Sequence, residues 1–125
     1  MNKMLDNNKC ILTYRVPEIE LKSLENKKMK IIEILPEMTE MKVRDILDGF
    51  RFPTFNPYPT KGKIILFNNF SDKELQATIT AVRKLVKGGI LAVVTPTSIE
   101  WKFNDLANHL VEEREWFLNQ QKGSL

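Results

Sequence analysis

Cysteine is nearly absent: Cys10 is the single one in 125 residues. An internal disulfide and a cysteine metal cage are therefore excluded, which fits a reducing compartment. His109 is the only histidine, and metal sites usually draw imidazoles in twos or threes, so no metal is expected. No apolar run is long. Ile90 to Val94 is the longest unbroken one, far short of the roughly 20 residues that span a bilayer, and the polar opening Met1 to Lys9 has no signal-peptide core. The expectation is a cytoplasmic protein with no membrane association. Charge of one sign is also missing. Nineteen basic residues face 16 acidic ones for a net +3, the two signs are interleaved, and no Lys/Arg block reaches the density of a nucleic-acid arm. What is present is core material. With 42% hydrophobic residues and so small a net charge, disorder is excluded and a single domain over residues 1–125 is expected.

Two short β-rich runs, Cys10 to Val16 and Met29 to Leu35, close at Pro17 and Pro36. Between them Ile19, Leu21 and Leu24 sit among charges as in a two-turn helix. After Pro36, Val43, Ile46, Leu47 and Phe50 recur at helical spacing up to Gly49, where a helix would stop. The order then returns. Lys63 to Phe70 reads as a strand, and Ser71 with Glu74 forms a capping box for a helix burying Leu75, Thr78, Ile79, Val82, Leu85 and Val86. Ile90 to Thr95 reads as a fourth strand, buried on both faces because it is almost wholly apolar. Thr97 and Glu100 read as a second capping box, opening a last helix whose stripe is Phe103, Leu106, Ala107, Leu110, Val111, Phe117 and Leu118.

The halves resemble each other. V-P-E-I-E-L from Val16 lies over F-S-D-K-E-L from Phe70, and the segment from Pro36 over that from Pro96. The offset shifts from 54 to 60, which places six extra residues in the second copy's first helix. The expected organisation is a tail (1–9), a βαβα half (10–49), an aromatic, proline-rich connection (50–62), a second βαβα half (63–120) and a tail (121–125). The fold class expected is α/β, a four-stranded mainly parallel sheet of order 2-1-3-4, with a ferredoxin-like α+β arrangement as the alternative. A crevice beyond the carboxyl ends of the central strands would hold Tyr14, Arg15, Asn68, Asn69 and Ser71.

The runs N-F-S-D-K-E-L (Asn69 to Leu75), A-V-V-T-P-T (Ala92 to Thr97), Trp101 and V-E-E-R-E (Val111 to Glu115) carry a resemblance. Over about residues 63–115 the chain resembles a bacterial family of domains of unknown function, numbered 3783. The resemblance implies a small bacterial cytosolic protein and brings no activity, cofactor or catalytic residue with it. Ser98 stands where the family has asparagine after Thr-Pro-Thr.

Several residues are candidates for a site. Thr95, Thr97 and Ser98 lead into a helix N-terminus, with Lys102 nearby, and could hold an anion; a plain capped turn explains them equally. No glycine lies in this loop, so phosphate-cradling nucleotide fingerprints are absent. Arg15, Asn68 and Asn69 end the central strands and are candidates for a small-molecule site, although asparagine also favours turns. Cys10 has no histidine placed to activate it and reads as a core residue. No catalytic, cofactor-binding or metal-ligating set emerges.

Two features point outward. Phe50 to Gly62 holds Phe52, Phe55 and Tyr58, either as a recognition surface for a partner or single-stranded nucleic acid, or, as favoured here, with Phe50, Phe52 and Phe55 pinning the connection to the core. On the last helix Trp101 and Trp116 fall opposite the core stripe at 100° per residue. Trp101 can fold back over the capping turn, whereas Trp116 is better explained by an interface; Arg114, within the stripe, can bury its stem. The function expected is a non-catalytic binding or protein-interaction module, a homodimer or a partner of another protein. An anion-binding or small-molecule enzyme at the strand ends is the first alternative and single-stranded nucleic-acid binding the second.

Overall fold

A computed structural model describes residues 9–27 and 29–123; apart from Lys9, the expected tail at 1–9 lies outside them. Four strands, β1 (Cys10–Tyr14), β2 (Ile31–Ile34), β3 (Ile64–Asn68) and β4 (Ile90–Val93), alternate with four helices, α1 (Glu18–Asn26), α2 (Val43–Leu47), α3 (Asp72–Leu85) and α4 (Phe103–Gly123). The sheet order is β2-β1-β3-β4. The fold is α/β with the expected order, and one feature of the expectation is corrected: the sheet is mixed. β1 pairs parallel with β2 and β3 parallel with β4, but β1 and β3 run antiparallel. Each half makes its own parallel pair through a helical crossover, and the two pairs then meet head to tail.

Alternation along the strands distributes the core over two faces. Leu12, Tyr14, Ile32, Ile34, Ile64 and Leu66 face α2 and α4, packing with Ile46, Leu47, Phe103, Leu106 and Ala107. Ile11, Ile65 and Phe67 face α1 and α3, packing with Leu21, Leu24, Val82 and Val86. The Ser71 hydroxyl accepts from the Glu74 amide at 3.2 Å and the Glu74 carboxylate from the Ser71 amide at 3.2 Å, so the capping box opens α3 as read.

The pairing has pseudo-two-fold symmetry. At the sheet centre Leu12 lies opposite Leu66, its equivalent at the first repeat offset. Across the helical face Lys42 bridges Lys102, its equivalent at the second offset. Around that bridge the Val43 amide donates to the Trp101 carbonyl at 2.9 Å and the Phe103 amide to the Met41 carbonyl at 2.8 Å. Five of the six additional residues of the second half fall in its first helix, which has 14 residues in α3 against 9 in α1.

Three local readings change. The last helix starts at Phe103 rather than beside Thr97, because Ser98–Glu100 is a separate 3₁₀ turn and Thr97 caps no amide. α4 also runs to Gly123, past the boundary expected at 120. β4, expected to be buried on both faces, is an edge strand whose residues are at most half-buried, with Val93 45% exposed.

Candidate functional site

The antiparallel centre decides what can gather at the strand ends. Arg15 and Asn69 each follow a central strand in the left-handed region, at φ 59° and 66°. They are equivalent positions in the two halves, and because β1 and β3 oppose each other they lie at opposite ends of the sheet. The expected crevice containing Arg15 together with Asn68, Asn69 and Ser71 therefore does not form. Asn68 pairs with Cys10, while Arg15 is committed elsewhere. Its Nε donates to the Thr60 carbonyl at 3.2 Å, and the same oxygen accepts from the buried Tyr14 hydroxyl at 2.7 Å. The Thr60 amide in turn donates to Asn104 Oδ1 at 2.8 Å. This buried group, Tyr14, Thr60 and Asn104, was invisible to motif reading, since its members are 44 and 46 residues apart.

The connection is pinned to the body by polar groups, not by its phenylalanines. Thr54 donates through amide and hydroxyl to the Glu37 carbonyl at 2.6 and 2.7 Å, and Asn56 Nδ2 reaches Thr39 and Glu40. Phe50 and Phe52 are about half exposed, whereas Phe55 and Tyr58 are each 86% exposed.

The turn from Thr95 to Ser98 shares the Asn68 and Asn69 end of the sheet, because β4 runs parallel to β3. Its hydrogen bonds close on themselves. The Ser98 amide donates to Thr95 Oγ1 and the Thr95 amide to Ser98 Oγ, both at 2.9 Å, while the Ile99 and Glu100 amides take the Thr95 and Thr97 carbonyls. Lys102 reaches Glu40 at 3.2 Å across the pseudo-dyad. The Thr95, Ser98, Ile99 and Glu100 amides and the Lys102 ammonium, donors an anion would need at this turn, are thus occupied. Beneath it lies a pocket of about 230 Å³, floored by Leu66, Ala92, Leu106 and Leu110 and rimmed by Thr95, Thr97, Ser98, Trp101 and His109.

Trp101 precedes α4, so the helical wheel does not apply to it; it packs on the core and meets the His109 ring edge-on at 5.5 Å. His109 Nε2 lies 3.1 Å from Glu113, and no three potential metal ligands gather among the described residues. Burial pushes the Cys10 thiol up to about 11, against the opposing influence of Lys30, which leaves it protonated near neutrality.

The expected stripe of α4 is buried at Phe103, Leu106 and Ala107 and half-buried at Leu110 and Val111. Beyond Val111 the helix overhangs the sheet edge and is only partly covered. Trp116, Phe117 and Leu118 are 63%, 57% and 46% exposed, and Arg114 is exposed too. An apolar groove of about 560 Å³ joins this overhang to the sheet edge, between Ile90, Leu91 and Ala92 on one side and Leu110, Trp116 and Phe117 on the other. Residues 63–117 match the family described as Domain of unknown function (DUF3783). The DUF3783 match starts at the residue before β3 and ends on the overhang, so it takes in the neutral edge strand, the closed turn and the pocket together. No curated protein and no solved structure matches the chain. No helix among the described residues is long and apolar enough to cross a membrane.

Proposed function

We propose that the chain is a protein-interaction module that self-associates through the β4 edge and the α4 overhang. The observation that carries this reading is the continuation of the α4 apolar stripe beyond the core: Phe117 and Leu118 follow the spacing of Phe103, Leu106 and Leu110 but stay 57% and 46% exposed among the described residues. Apolar patches of this kind on a small domain are usually contact surfaces. The adjoining edge strengthens the reading. Edge strands are ordinarily blunted by charge or proline, whereas β4 is Ile90, Leu91, Ala92 and Val93 and hydrogen-bonds only to β3 among the described residues.

A second copy suits this surface on two grounds. A bare strand can pair with itself about a two-fold axis, extending the sheet without any new element. The groove is also flanked by both an acidic and a basic side chain, Glu113 and Arg114, so a two-fold arrangement can set each copy's arginine against the other's glutamate. The enzyme alternative needs Arg15 beside Asn68 and Asn69, which occupy opposite ends of the sheet.

Size-exclusion chromatography with light scattering tests the proposal. The wild-type chain at about 100 µM is expected at twice the chain mass, and the double variant Trp116→Ala, Phe117→Ser at the chain mass with unchanged circular dichroism. A wild-type monomer overturns the self-association, as does a dimer indifferent to the two substitutions.

A further inference from the structure

The pocket beneath the Thr95–Ser98 turn has a filled counterpart in the other half, and the comparison shows why it is open. The two turns are built alike. In the first the Leu35 amide donates to the Met38 sulfur at 3.5 Å and the Met41 amide to the Met38 carbonyl at 3.0 Å; in the second the Thr95 amide donates to Ser98 Oγ at 2.9 Å and the Trp101 amide to the Ser98 carbonyl at 3.0 Å. Ser98 therefore occupies the place of Met38. In the sheet Leu12 pairs with Ile32 where Leu66 pairs with Ala92, so Ala92 occupies the place of Ile32. Met38 and Ile32 are both buried in the first half. Their replacement by serine and alanine removes two large side chains from one spot, while the surrounding Leu66, Leu106 and Leu110 remain in position and leave about 230 Å³.

We propose that this pocket is a binding site for a small single-ring aromatic molecule carrying one hydrogen-bonding substituent, phenol being the simplest. The volume exceeds the roughly 150 Å³ in which an apolar protein cavity takes up benzene. The floor is aliphatic, and Trp101 and His109, themselves edge-to-face, stand at the rim where they can offer the same geometry to a third ring. Polarity is confined to that rim. The exposed Thr97 hydroxyl caps no amide and lines the mouth of the pocket, where it can meet a ligand oxygen, so a ligand carrying one gains a hydrogen bond that a bare ring does not. The pocket shares Ala92 and Leu110 with the edge groove, but the proposal does not rest on self-association and is read by ligand binding, including with Ser98→Met alone, which leaves the β4 edge unchanged.

Titration of the ¹⁵N-labelled wild-type protein with phenol, followed by amide shifts, tests it. Saturable shifts centred on Ala92, Ser98 and His109 are expected, with benzene binding about fivefold more weakly for want of the hydrogen bond. The variant Ala92→Ile, Ser98→Met restores the first half's own residues and is expected to abolish the shifts while melting no lower than wild type. Should that variant not fold, Ser98→Met alone, whose sulfur can take the Thr95 amide as Met38 takes that of Leu35, is expected to weaken phenol at least threefold. Absence of saturable shifts with either probe overturns the site. So does phenol binding undiminished in the filled variants, and benzene binding as tightly as phenol overturns the ligand class.

Discussion

At β2 the outer strand carries Glu33 opposite Thr13; at the equivalent register of β4, opposite Phe67, stands Val93. α2 ends after Leu47 and Gly49 turns the chain at φ 95°, whereas α4 continues for 21 residues, about 31 Å. Met38 and Ile32 close the first half's turn, and Ser98 and Ala92 leave the second half's turn hollow. Both halves share strand pairing, turn hydrogen bonds and crossover. The differences all run one way: the first half is short, charged at its edge and filled, and the second is long, neutral at its edge and open. Pairing about the pseudo-dyad needs only the shared parts, so the second half's departures are free to serve contact with something else.

The largest effect expected is at the pseudo-dyad itself. Phe103 is buried and meets Tyr14 edge-on at 5.1 Å, while its equivalent Val43 is smaller and equally buried. Phe103→Ala is expected to cost about 3–5 kcal/mol and Val43→Ala about 2 kcal/mol, by urea unfolding. Equal costs would mean that the Phe103 ring and its contact with Tyr14 contribute nothing beyond what valine supplies at the equivalent position. Next comes the edge. Val93→Glu gives β4 the charge that β2 has, and is expected to weaken self-association at least ~10-fold through desolvation of the new carboxylate, with little change in melting temperature. Sedimentation equilibrium reads it, and an unaltered dimer would separate the overhang from the strand as the contact surface.

Much of this architecture is legible in the residues. The Ser71 to Glu74 box, the proline and glycine stops and the two offsets suffice for element order and for the strand order 2-1-3-4. Direction is not legible. Alternating burial looks the same in a parallel and an antiparallel neighbour, and a connection of the length of Phe50 to Gly62 can serve either, so the supposed crevice dissolved once β1 and β3 ran opposite ways. The neutral run at β4 misled for a physical reason: strands covered on both sides and strands awaiting a partner share a composition. Helical counting failed at Trp101 because the 3₁₀ turn delays α4 to Phe103. The pocket was hidden because it consists of volume that Ser98 and Ala92 do not fill, which becomes visible only when they are set against Met38 and Ile32 in space.

Thr13 sharpens the comparison from the other side. Its equivalent, Phe67, fills the face under α1 and α3, while Thr13 is fully buried and its Oγ1 lacks a hydrogen-bond partner. Thr13→Val keeps the shape and removes an unsatisfied group, so it is expected to stabilise by about 1 kcal/mol, raising the melting temperature by roughly 4 °C. A loss of stability would mean that the hydroxyl is satisfied after all.

The smallest effect expected concerns two ion pairs related by the same symmetry. Lys63, before β3, holds Glu20 of α1 at 2.8 Å, and Lys9, before β1, holds Glu74 of α3 at 2.6 Å. Each lysine thus ties its own half to the other half's first helix. The environments differ: the Glu20 and Lys63 side chains are only 15% and 21% exposed, those of Glu74 and Lys9 close to half. The Lys63 ammonium, helped by the Lys87 amide, holds the Glu20 carboxyl below its usual value of 4.5 against the opposing cost of burial, and Lys9 with the Ser71 groups does the same for Glu74. A carboxyl whose folded value is depressed stabilises the fold above its unfolded value and loses that contribution as the pH falls through the folded one. Stability is therefore expected to be level above about pH 5 and to decline below 4.5. Glu20→Gln should flatten that decline more than Glu74→Gln, because the solvent that screens the exposed pair is largely excluded from the other. Urea midpoints between pH 3 and 6 check the order, and a larger change from Glu74→Gln would mean that the capping box, rather than the tie between halves, dominates the acid response.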